Sequence, residues 1–278
     1  MDISQYTGIR IADVLSGRFR DVYKACWDYM RCAFGENVEF ERLSRQILLC
    51  RETEAYLYQE PDQPVRYVFR SRPVLEQVVG EVTAKACNDR ERVLAILRFV
   101  RDLYLIVDGE DYFYGGTEED LIKKGEWFCE RVSRLMVALC EVAGYHGRIV
   151  FHVTAGHLTS EIFFDGRWAY IDPRCGLFYV NDANQFLSVR DVMQNREVIY
   201  QQPKWVEAYH SPYWSYAFRQ HRNYHFCLNP SEIQCYGPYS LMDYDQYHFN
   251  WRSRRKALID CETIHNKYVE LGKMALIE

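Results

Sequence analysis

Residues 125–173 read GEWFCERVSRLMVALCEVAGYHGRIVFHVTAGHLTSEIFFDGRWAYIDP, and this stretch decides the fold. Phe128, Val132, Leu135, Met136, Leu139, Val142 and Ala143 recur at spacings of three, four and seven, which predicts one buried face of a helix. Gly144 supplies its stop. Gly125 interrupts the chain after Lys123 and Lys124, so the helix starts near Glu126 to Phe128 and Cys129 falls in its first turn. Unpaired backbone N–H groups and the positive end of the helix dipole favour a thiolate there.

Beyond the helix, RIVFHVT alternates like a strand. HLTSEIFF and RWAYID then flank Asp165-Gly166, the two-residue signal of a tight hairpin. Pairing Phe164 with Arg167 puts Thr159 opposite Asp172, and His157 becomes a diagonal neighbour of Asp172 on one face, about 7–8 Å away between backbones. If the helix packs against that face, Cys129, His157 and Asp172 meet as nucleophile, base and orienting group, the arrangement that activates a thiol.

With these residues in place, the sequence resembles the transglutaminase-like superfamily. Its core shows a glycine and a cysteine opening a helix, a Gly-x-x-x-Arg step into a strand, a histidine opening a hairpin, and an aspartate followed by proline. The matching positions are Gly125 with Cys129, Gly144 with Arg148, His157, Gly166-Arg167-Trp168, and Asp172-Pro173, and the likeness runs from about Arg72 to Gly176. It departs at the nucleophile: three residues separate Gly125 from Cys129 where many members have one, and Trp127 precedes the cysteine where animal transglutaminases carry a tryptophan after it.

The resemblance implies an α+β fold, a papain-like or transglutaminase-like core with helices packed on an antiparallel β-sheet. It also implies chemistry through a thioacyl-enzyme on a peptide, protein or small amide substrate, with no cofactor. Water as acceptor makes a hydrolase or peptidase, the reading slightly favoured. An amine acceptor makes an acyl transferase or transamidase, and some members keep the fold without turnover, as binding modules. The Arg-Gly-Gly-x-Cys signature of arylamine acetyltransferases is not found, nor the paired cysteines expected of a peptide N-glycanase. For the oxyanion the candidates are the backbone N–H of Cys129 at its helix N-terminus and the hydroxyls of Tyr112 and Tyr114 in the DGEDYFYGG loop; Trp127 is a candidate to line the substrate site.

The 278 residues, 48% of them apolar, are enough for a sizeable core. A net charge of −5 gives no reason to expect nucleic acid or an anionic membrane as partner. No stretch approaches the ~18 consecutive apolar residues of a membrane span, and the first twenty residues lack the apolar segment of a leader, so the expected location is cytoplasmic. The ten cysteines include no C-x-x-C pair, and His146 and His152 lack a carboxylate or cysteine at ligand spacing, so no metal is expected.

In chain order, residues 1–71 are expected to form a helical lead-in, with helices near Arg18 to Phe34 and Glu39 to Glu52, a linker at Gln59 to Pro64 and a short strand at Tyr67 to Phe69. Residues 72–200 make the catalytic core. Two helices precede the nucleophile helix: one from Pro73 with Val74, Leu75, Val78 and Val79 inward, and one from about Arg90 to Leu105 capped at Asn88-Asp89. Thr117 and Asp120 read as a capping box for a short helix. Leu177 to Val180 reads as a strand and Ser188 to Arg196 as a helix. Residues 201–278 form an aromatic-rich extension packed on the core, either narrowing the cleft or acting as a packed layer, and ending in a helix from Asp260 to Leu271.

Overall fold

The computed structural model describes residues 47–49, 54–62, 64–65, 67–106, 117–126, 128–152, 157–212 and 239–243. The elements run β1 (Ile47–Leu49), α1 (Glu54–Leu57), α2 (Pro73–Val82), α3 (Asp89–Asp102), α4 (Glu118–Lys124), α5 (Cys129–Val142), β2 (His146–His152), β3 (His157–Phe164), β4 (Arg167–Ile171), α6 (Val189–Gln194) and β5 (Tyr239–Asp243). Short 3-10 turns follow α3 and α6, and another covers Lys204–Tyr209. Among the described residues no helix is long and apolar enough to cross a membrane.

Local chemistry sets the helix starts. The Asn88 side chain accepts the Glu91 N–H at 2.9 Å and opens α3. Thr117 and Asp120 bond each other's backbone N–H, as the capping box requires, and Ser188 with Asp191 repeats the device at α6. Pro73 occupies the first turn of α2, where its missing N–H costs nothing.

The sheet has five antiparallel strands in the order β1-β5-β2-β3-β4. Asp165 and Gly166 take φ of 50° and 71°, the doubly positive backbone of a turn that follows the strand twist. Phe164 therefore pairs with Arg167 and Ser160 with Ile171, the expected register. The strand alternation divides the side chains between two faces. Ile149, Ile162, Phe164, Ala169 and Ile171 join α2, α3 and α5 in one core, while Val150 and Tyr170 join Leu57, Leu177, Tyr179, Val189 and Ile199 in a second.

This arrangement corrects two expectations for α5. The helix is buried on all sides from Cys129 to Cys140, because the sheet covers one side while α2, α3 and α4 cover the rest. Its charges are matched by ion pairs: Arg134 with Glu118 at 3.1 Å and Arg131 with Glu126 at 2.8 Å. Moreover, α5 does not lie on the face that carries His157 and Asp172. It packs on the opposite one, where Ser133 donates to the Leu158 carbonyl at 3.0 Å and Val137 fills the space beside Gly147.

Other differences have local causes. Ile47–Leu49 is a strand inside the segment read as an amphipathic helix, since a short apolar run does not fix its own period. The sheet thus takes β1 and β5 from outside the 72–200 span. Tyr67 to Phe69 is not a strand but leads into a turn closed by Ser71 N–H to Val68 C=O at 3.0 Å. Leu177 and Val180 make only isolated bridges, to Asp172 and Phe186. Val74 is 47% exposed rather than buried. The expected helices at Arg18 to Phe34 and Asp260 to Leu271 lie outside the described residues. In the aromatic-rich stretch, Trp205 and Tyr209 pack on Phe178 at 5.6 and 5.3 Å between ring centroids, and the Arg98 guanidinium covers the Tyr209 ring.

Candidate active site

Three of the sequence-predicted residues come together. Cys129 is the first residue of α5, after an N-cap at Phe128 that makes no side-chain cap. His157 is the first residue of β3, and Asp172 follows β4. Because α5 lies on the far face of the sheet, the thiol and the ring meet at the end of β3, joined by a hydrogen bond, and not across its surface. His157 Nε2 lies 2.9 Å from Asp172 Oδ2, which leaves Nδ1 as the ring nitrogen for the thiol. All three groups are buried.

The turn after β4 fixes the carboxylate. Asp172 N–H donates to the Leu177 carbonyl at 2.8 Å and Leu177 N–H returns to Asp172 at 3.0 Å. Within it, Cys175 N–H donates to Asp172 Oδ1 at 3.2 Å, so both carboxylate oxygens are engaged. The Cys175 carbonyl in turn accepts Ser211 N–H at 2.8 Å.

The charges reinforce one another. Burial pushes the Cys129 thiol up, but the charge of His157, its hydrogen bond, Arg174 and a backbone hydrogen bond at Leu158 together hold it below the ordinary thiol value. Burial alone would press His157 down; Asp172 and Cys129 instead carry it up to about 10. Asp172 is raised by burial and lowered further by His157, the Cys175 N–H and Arg174, ending below the usual carboxylate range. Cys140 on the same helix is the contrast: burial and Glu141 push its thiol up. The cluster favours a thiolate beside an imidazolium.

Three residues to which the sequence assigned no place in the site belong to this neighbourhood. Arg174, half-buried on the Asp172 turn, adds positive charge toward both Cys129 and Asp172. His152 ends β2 directly opposite His157, with Thr159 beside it at 2.8 Å. The four-residue link between His152 and His157 was the signal for this pairing. Tyr112, Tyr114 and Trp127 lie outside the described residues. His146 and His152 stand six positions apart on β2, about 20 Å at ~3.3 Å per residue, and do not converge. Among the described residues no group of three or more His, Cys, Asp and Glu side chains could hold a metal ion.

Residues 76–173 match the family model described as Transglutaminase-like superfamily, a span that begins in α2 and ends just after Asp172. No curated protein and no solved structure matches the chain. Helices on an antiparallel sheet are the α+β core of that superfamily, whose members in general carry out cysteine-dependent acyl transfer or hydrolysis.

Proposed function

We propose that the chain, built on this transglutaminase-like core, is a cysteine-dependent hydrolase of amide or related acyl bonds, with Cys129 as nucleophile, His157 as proton carrier and Asp172 as its orienting group. The observation that supports this most is the buried chain of contacts from Cys129 through His157 to Asp172, with the thiol at a helix N-terminus. The Cys129 thiolate attacks the acyl carbon, and the carbonyl oxygen takes up the negative charge. The backbone N–H of Cys129, at the start of α5, suits that oxyanion. His157 gives its proton to the departing amine as the C–N bond breaks, leaving a thioacyl-enzyme and a neutral imidazole. Water then attacks the thioester while His157 takes its proton; the acid leaves, and thiolate and imidazolium are restored.

The test is the alkylation rate of Cys129 against pH, read by peptide mapping, in wild type and His157→Ala. Rapid labelling well below pH ~8.5, lost in the variant, is expected. Labelling no faster than that of Cys140, unchanged by the variant, would refute the reading and leave a binding scaffold. Release of free acid from amide donors with water as the sole acceptor distinguishes the hydrolase. Turnover that requires an added amine would assign the same site to transamidation.

A further inference from the structure

We propose that His152 is a positioning residue for His157: a buried ring, anchored by Thr159, that fixes the plane in which the His157 imidazole meets Asp172 and Cys129. This rests on the reading of those three residues given above. A single hydrogen bond from Nε2 to Asp172 fixes one direction of the ring and leaves it free to turn about that direction, which would swing Nδ1 away from the thiol. Contact on the ring face removes that freedom.

The geometry supplies such a contact. His152 and His157 are paired across β2 and β3, with ring centroids 6.1 Å apart and planes 26° from parallel, an offset stack. His152 is itself held: its Nε2 is 2.8 Å from Thr159 Oγ1, and Tyr170 meets it edge-on at 6.2 Å while stacking on Tyr179. At 2% exposure, with Thr159 fully buried, neither group can rotate without opening a void.

The charges fit this role. The groups facing His152 are His157 from β3 and Asp172 after β4, with Cys129 beyond His157 and Arg174 on the Asp172 turn. Burial first, then the charge of His157, depress His152 well below the ordinary histidine value, against the pull of Asp172. The stack therefore sets a neutral ring against an imidazolium, not two cations against each other.

The experiment measures iodoacetamide labelling of Cys129 against pH in wild type, His152→Ala, His152→Phe, Thr159→Val and His157→Ala, with a melting curve for each. His152→Ala and Thr159→Val are expected to raise the labelling midpoint by about one pH unit, about tenfold slower labelling at pH 6.5, while His152→Phe, which keeps a flat ring, restores most of the rate. A folded His152→Ala with the wild-type profile, while His157→Ala loses it, overturns this inference and leaves the site reading standing. His152→Phe behaving as His152→Ala also overturns it. If His157→Ala keeps the wild-type profile, the site reading itself fails. Should His152→Ala not fold, Thr159→Val carries the same decision, a wild-type profile overturning the inference.

Discussion

Gly176→Ala is the sharpest test of how the Asp172 turn is held. Gly176 has φ of +69°, and a methyl group placed on it would meet the Tyr209 carbonyl oxygen at 2.0 Å and Arg101 Cδ at 2.9 Å. That oxygen cannot easily retreat, because it accepts a bond from Arg101 Nη1 and the Tyr209 ring is packed by Phe178 and Arg98. Left-handed backbone costs an alanine about 1–2 kcal/mol, and forcing an overpacked backbone apart costs about 1–3 kcal/mol more. The expected loss is about 2–5 kcal/mol by these two terms. Gly166→Ala is the control, with a similar φ of +71° but nothing within 4 Å, so it bears only the first cost. Urea unfolding of both variants isolates the steric part. Labelling of Cys129 should slow in Gly176→Ala alone, since the Cys175 N–H that holds Asp172 moves with the turn. Equal stability losses in the two variants would refute the reasoning.

Three further outcomes follow from other parts of the structure. Protonated His157, raised from 6.5 to about 10, stabilises the fold in full below pH ~6.5 and loses that contribution as pH rises toward 10. In a Cys129→Ser background, which removes the thiol titration and the thiolate's part of the shift but keeps that of Asp172, urea midpoints should therefore fall as pH rises above ~6.5, and adding His157→Gln should flatten the curve. Arg148→Ala leaves the buried Glu161 carboxylate without its two bonds at 2.7 and 2.9 Å and should cost about 3–5 kcal/mol in urea unfolding; Arg148→Lys should recover only part, because the guanidinium also lies 3.9 Å over the Trp168 ring. Asn88→Ala removes only the α3 cap and should cost about 1 kcal/mol with Cys129 labelling unchanged.

The parts of this fold that were legible in the sequence are those fixed by neighbours along the chain. Helical period and two glycines placed Cys129 in a first turn, and Asp165-Gly166 set the register that carries His157 to Asp172. What escaped depends on segments far away. Arg131 and Arg134 are buried through Glu126 and Glu118, partners that the apolar period of α5 does not reveal. Periodicity showed that α5 has an apolar side, yet not which face of the sheet receives it. Strand alternation permits either, and the choice is made by the second core around Tyr179 and Val189, which already occupies the other face. Ile47–Leu49 and Tyr239–Asp243 were missed as strands because pairing, of β5 to β2 and of β1 to β5, and not their own short patterns, defines them.

The Arg148–Glu161 pair also bears on how the chain reaches this state. Glu161 is satisfied by three groups: Arg148 on the neighbouring strand, Val189 N–H twenty-eight residues on, and the Tyr58 hydroxyl from 103 residues before, while Arg148 reaches the Leu57 carbonyl as well. The β3–β4 hairpin can close early through its tight turn, but the carboxylate cannot leave water until the distant α1 segment and α6 have docked. Closing that long loop comes before its reward, which slows the final step of folding. The refolding intermediate expected from this order has its helical side assembled and its second sheet face still wet, so that the site, whose histidine and aspartate lie on that face, is the last region to become dry.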